Sequence, residues 1–161
     1  MSDEQGRAAA LAREWREVRA TLIGLAEQLP ETRLGRATER AGWTVRHELA
    51  HFAVLDRDIT HVFERAASGA GDALDGARDA VALRRMRGQV MHAAQELRLT
   101  PLRRHLAEAG EQAAATIEAQ AALIGRPVRL AGREAATVAG HLEHAIARAR
   151  QGIEVLREAV R

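Results

Sequence analysis

The sequence predicts an all-α fold, a four-helix bundle with one long crossover connection, and three observations lead there. Aromatic residues make up 2% of the 161-residue chain, while Ala, Leu, Arg and Glu dominate and β-branched clusters are scarce, a composition that favours helices. Apolar residues recur at steps of three and four, the spacing of one helical face. At 47% hydrophobic, the chain is long enough to bury a real core as a single domain over residues 1–161.

The first helix carries the stripe Leu11, Trp15, Val18, Leu22, Leu25 and Leu29. Pro30 closes it, because the residue before a proline is pushed out of helical geometry. Residues 31–42 are polar, hold two glycines and show no period, so they read as a connection. A second helix begins with Thr44 as N-cap, and its stripe Val45, Leu49, Phe52, Ile59 and Phe63 runs to about Ala67. The Gly-rich stretch from Ser68 to Gly76 is the long middle connection. Leu83, Met86, Val90, Ala94 and Leu97 mark a third helical stretch. Thr100-Pro101 reads as an N-cap with proline in the first helical position, restarting a helix through Leu102, Leu106, Ala113, Ile117 and Ile124. These two stretches are one kinked helix or two. Gly125-Arg126-Pro127 ends the element, residues 128–132 form a short and partly extended connection, and the last helix starts near Glu134. It buries Val138, Leu142, Ala145, Ile146, Ile153, Leu156 and Val160. Four principal amphipathic helices with one long connection describe the bundle.

Charge and composition remove several functions. A pI near 10.6 suggests a nucleic-acid binder, yet the formal net charge is only +2. The sequence contains no Lys, Tyr or Cys, so every basic side chain other than His is Arg and little titrates between the two. The high pI is a consequence of that gap, not a basic patch, and the densest basic run, Arg84-Arg85 with Arg87, is short. Nucleic acid is not an expected partner. Zero Cys excludes a disulfide framework, a thiolate metal site and a cysteine nucleophile. The polar, acidic start from Met1 to Arg7 does not resemble a signal peptide, and charges interrupt every apolar run, so a cytoplasmic protein without membrane contact is expected.

The chemical resource that remains is histidine: His47, His51, His61, His92, His105, His141 and His144. His47-Glu48-Leu49-Ala50-His51 reads as H-E-x-x-H, the zinc-hydrolase motif. No substrate-binding strand accompanies it, and the plainer reading is a solvated His47 with only His51 of consequence. His51 borders the buried stripe. Asp56 falls inside that stripe, where an unpaired carboxylate is expensive, so it either pairs with an Arg or orders a ligating His. On the last helix His141 and His144 lie three apart, about 60° round the wheel, so both can face one centre. Arg46, Arg57, Arg148 and Arg150 lie near these positions, as steering charges for an anionic substrate or as ordinary surface charge.

The segment Gly42-Trp43-Thr44-Val45-Arg46-His47-Glu48-Leu49-Ala50-His51-Phe52, followed by Asp56, resembles the W-[ST]-x-x-x-x-L-x-H-[LF] signature of the DinB/YfiT-like metalloenzyme superfamily. Thr137 to His144 resembles that superfamily's last-helix histidine motif. The superfamily includes the mycothiol-dependent maleylpyruvate isomerase N-terminal domain. The resemblance implies an up-down-down-up four-helix bundle, often a homodimer. It also implies a divalent metal, zinc or nickel, held by His51, His141 and His144, and a small-molecule substrate. One departure is visible: members place the last pair four apart, and here the spacing is three, so Glu143 or a water is an alternative ligand.

The function implied is a divalent-metal-binding protein acting in low-molecular-weight-thiol transfer or isomerisation, with a thiol such as mycothiol as cofactor. A chain without Cys fits, since the sulfur then comes from the cofactor. The alternative is a non-catalytic interaction or dimerisation module with a degraded metal site, and an HExxH zinc hydrolase comes third.

Overall fold

The computed structural model describes residues 2–69, 76–130 and 136–161. Among them lie five α-helices: α1 (Asp3–Gln28), α2 (Val45–Ala67), α3 (Gly76–Gln95), α4 (Leu99–Ala119) and α5 (Val138–Val160). A two-residue antiparallel pair, β1 (Pro127–Val128) with β2 (Ala136–Thr137), precedes α5. α1 and α2 each pack against both α4 and α5, and α3 lies on α2. The core between them holds Trp15, Leu22, Phe52, Phe63, Leu106, Ile117 and Leu156. No helix among the described residues is long and apolar enough to cross a membrane.

Local chemistry explains most boundaries. Ser2 caps α1 in a reciprocal box: its Oγ accepts from the Gln5 N–H at 3.2 Å, and Gln5 Oε1 accepts from the Ser2 N–H at 3.0 Å. Asp3 and Glu4 in the first turn suit the positive end of the helix dipole. Leu29, before Pro30, is extended, and the helix stops there. The segment to Thr44 has more structure than its lack of period suggested. It folds back on α2, with the Val45 N–H donating to Arg36 O and the Arg46 N–H to Leu34 O, both at 3.0 Å. The Thr38 N–H meets Trp43 O at 2.9 Å, and Gly42 supplies the positive φ of 77° that this turn needs.

One open choice is decided and two expected boundaries move. The third stretch is two helices, α3 and α4, parted at residues 96–98. α4 starts at Leu99 with Arg98 as cap, so Thr100 and Pro101 lie inside its first turn. Proline is tolerated there because the first-turn N–H groups have no partner within the helix. α5 starts at Val138, where Thr137 Oγ1 accepts from the Gly140 N–H at 3.2 Å. Ala136 and Thr137 are strand residues, so the helix does not reach back to Glu134, which itself lies outside the described residues. Much of the Gly-rich stretch, residues 70–75, also lies outside them.

Asp56 takes the first of its two expected roles and pairs with an arginine. The Arg19 guanidinium donates from Nη2 to Asp56 Oδ2 at 2.9 Å and to Leu106 O at 2.6 Å, and both side chains are 5% exposed. Arg19 also sits 5.8 Å from the Trp15 ring and 5.3 Å from that of Phe52. Gly110 on α4 makes room, since a Cβ there would stand 2.5 Å from Arg19 Nε. Burial pushes the Asp56 carboxyl up to about 7 against the pull of Arg19.

Candidate functional site

The start of α2 and the connector folded over it gather the polar groups that the core does not use. His47, at the third position of the helix, caps it: the Thr44 N–H donates to His47 Nδ1 at 3.1 Å, and Thr44 Oγ1 lies 2.7 Å from the same nitrogen. Trp43 lies beside this turn, 6.1 Å from the His47 ring and 5.3 Å from that of His51, which it meets edge-on at 73°. The Arg40 guanidinium covers the Trp43 ring at 4.1 Å.

Glu48 is fully buried. Its Oε1 lies 3.4 Å from both Arg40 Nε and Thr38 Oγ1, whereas Oε2 is buried with no hydrogen-bond partner. Burial pushes its carboxyl above the usual range, with the Arg40 charge opposing. A Glu tied to Arg40 and a His spent on a cap are not the parts of a zinc hydrolase. The H-E-x-x-H reading therefore gives way to a helix cap plus a buried carboxylate.

His51 is half-buried, and its Nε2 is wholly buried without a partner. Burial lowers its pKa to about 4; Arg40, Arg148 and Arg87 push the same way, and Asp58 opposes. At neutral pH the ring is uncharged. Asp58 is engaged by Arg87, which donates from Nε at 2.9 Å and from Nη2 at 2.8 Å.

The two last-helix histidines lie elsewhere. His141 is 2% exposed, and its Nε2 lies 2.7 Å from Val128 O. A carbonyl only accepts, so this nitrogen carries the proton, and the bond fastens α5 to β1. His144 is exposed. Gly152 on α5 packs against the Phe52 ring, where an added Cβ would lie 3.1 Å away. No three His, Asp or Glu among the described residues converge as a metal-holding group, so the structure does not gather His51, His141 and His144 into the three-histidine centre expected from the resemblance. Helical spacing sets which way a side chain faces and not its level against a neighbouring helix.

Of the four arginines expected nearby, three serve the scaffold. Arg46 donates to Gln95 O and Leu97 O at the end of α3, Arg57 pairs with Glu64, and Arg150 pairs with Glu14. Arg148 is exposed on α5 and makes no hydrogen bond or ion pair with the described residues, yet its charge reaches both His51 and Glu48. A shallow groove of about 450 Å³, lined by Glu39, Arg40, Gln151, Glu154 and Val155, adjoins this cluster. Sequence reasoning missed Arg40 and the burial of Glu48. The Glu48 signal was present, since it sits one turn before Phe52 on the inward side.

No family model and no curated protein matches this chain. Among solved structures, the chain is similar to the crystal structure of the mycothiol-dependent maleylpyruvate isomerase, with a TM-score of 0.70 at 15% identity. The match covers 97% of this chain and 63% of that one, so the chain spans less than two thirds of that protein's length. At that identity the likeness is one of fold.

Proposed function

We propose that this chain is a small-molecule-binding protein on a DinB-like up-down-down-up bundle, that it acts at the His51 end, and that its ligand class includes a low-molecular-weight thiol. The observation that carries this reading is His51 Nε2, a buried nitrogen with no partner on a ring that is uncharged at neutral pH. An unpaired buried polar atom costs about 1–3 kcal/mol, and such atoms in a native protein call for an explanation, of which a binding role is one. The thiol enters from the fold match to a mycothiol-dependent enzyme and from a chain that supplies no sulfur nucleophile of its own.

The residues present limit what His51 does. Its pKa is about 4 and an ordinary thiol's is about 8.5, so moving a thiol proton onto it is uphill by about 6 kcal/mol. His51 therefore serves as a hydrogen-bonding partner and not as the base. The thiol proton leaves to solvent, and the nearby Arg40 and Arg148 charges favour the anion that remains. No step is assigned to a metal, because no three donors converge among the described residues.

Titration with mycothiol, followed by the side-chain nitrogen resonances of His51 and by Trp43 fluorescence, tests the reading. A saturable shift at His51 that leaves His105 unmoved is expected, and the fluorescence change is lost in His51→Ala. The second reading is a non-catalytic interaction or dimerisation module with a degraded metal site, which fits the lack of a three-donor group among the described residues. It predicts that His51 responds to no small molecule.

A further inference from the structure

We infer that α3 is a detachable strap: it leaves α2 and unravels as a unit while α1, α2, α4 and α5 stay folded, uncovering the face of α2 that carries Asp58 and His61. This property is independent of what His51 binds.

Apolar burial is the main term that holds a helix onto its neighbours, and α3 has little of it. Among its described side chains only Leu83 and Ala94 are buried, and Leu83 stands outside the main core. α4, of similar length, buries Leu102, Leu106, Ala113, Ala114 and Ile117. α3 rests mainly on α2, whereas α4 packs against both α1 and α2. The seam under α3 is itself loosely filled. A cavity of about 380 Å³ lies in it, lined from α2 by His61 and Arg65, from α3 by Leu83 and Met86, and by Leu130.

What fastens α3 is polar, at its start, middle and end. Arg65 Nη1 meets Asp79 Oδ2 at 2.9 Å. Arg87 donates to both oxygens of Asp58, from Nε at 2.9 Å and from Nη2 at 2.8 Å. Arg46 Nη1 donates to Gln95 O at 2.9 Å and to Leu97 O at 2.6 Å. All three arginines are partly exposed, so water competes for these bonds and each holds weakly. Asp58, 4% exposed under α3, regains water when the helix lifts, which offsets part of the loss.

Once off α2, the helix has little to keep it wound. A 20-residue helix without its packed face is marginal in water. Gly88 makes it weaker: it is exposed in the middle of α3, and a Cβ there would meet nothing within 4 Å, so no packing contact calls for glycine. Few buried apolar groups and solvent-reachable fastenings mark α3 as the unit that opens first.

Amide hydrogen exchange of the full chain, read peptide by peptide by mass spectrometry at neutral pH, tests this. The interior amides of α3 are expected to exchange together, about a hundredfold faster than those of α4 and α5. Arg46→Gln and Arg87→Gln each raise exchange in α3 about tenfold and leave α4 and α5 unchanged. Gly88→Ala acts in the opposite sense and slows α3 about fivefold. Arg84→Gln, at an exposed position of α3 with no bond to the described residues, leaves it unchanged. Equal protection of α3 and α4 overturns the inference. So does exchange that rises equally in every helix when a clasp is removed, because α3 then opens only with the whole bundle. Should Arg87→Gln fail to fold, Arg46→Gln and Gly88→Ala still decide between these outcomes.

Discussion

Replacing Asp56 with Ala is expected to destabilise the protein by about 3–5 kcal/mol, measured by urea unfolding. The cost comes from what is left behind. Arg19 is 4% exposed, and without Asp56 its charge keeps only the Leu106 carbonyl and the faces of Trp15 and Phe52. Burial already lowers the Arg19 pKa, and Asp56 is the charge that opposes this. The pair itself is a weak source of stability, because desolvating two charges consumes most of their attraction. The double change Arg19→Met with Asp56→Leu should therefore recover most of the loss. A single-variant loss below about 1 kcal/mol would show that the pair is not buried as described.

Between pH 7 and pH 4 the wild type should lose about 2–3 kcal/mol more stability than His51→Asn. His51 has a folded pKa of about 4 against an ordinary 6.5, so between these values the unfolded chain takes up a proton that the native one refuses. Its contribution is complete above pH 6.5 and is lost as pH falls towards 4. The upper part of the range is discounted because the ring is partly exposed to solvent. Asp56 acts with the opposite sign. Its folded pKa is raised to about 7, so its contribution is lost as pH rises from 3.8 to 7, and comparison with the His51 variant cancels it. Parallel pH profiles for the two proteins would mean that His51 titrates normally.

Much of the bundle was legible because helix ends and faces are local properties. The stripe from Leu11, the stop at Pro30 and the Thr44 cap depend on neighbours within a turn or two, and each appears where the spacing put it. Thr100-Pro101 misled because proline suits any position in a first turn. Arg19 lay hidden inside an apolar stripe, and only the approach of Asp56 and the space at Gly110 explain it. The half-burial of His51 was legible from its place at the edge of the stripe. Arg40 was not, because the connector has no period and its turn depends on contacts with α2. The ligand set was not legible for a third reason: a spacing of three puts His141 and His144 on one side of α5 but does not fix where either stands against α2, and no three donors converge among the described residues.

The most direct measurement is elemental analysis after dialysis against zinc and nickel, made on the wild type and on His51→Ala, His141→Ala and His144→Ala. Expected is that His141→Ala and His144→Ala leave the metal content of the folded protein unchanged from wild type. One ion per chain, lost equally in all three variants, would contradict a site that works through His51 without a three-histidine centre.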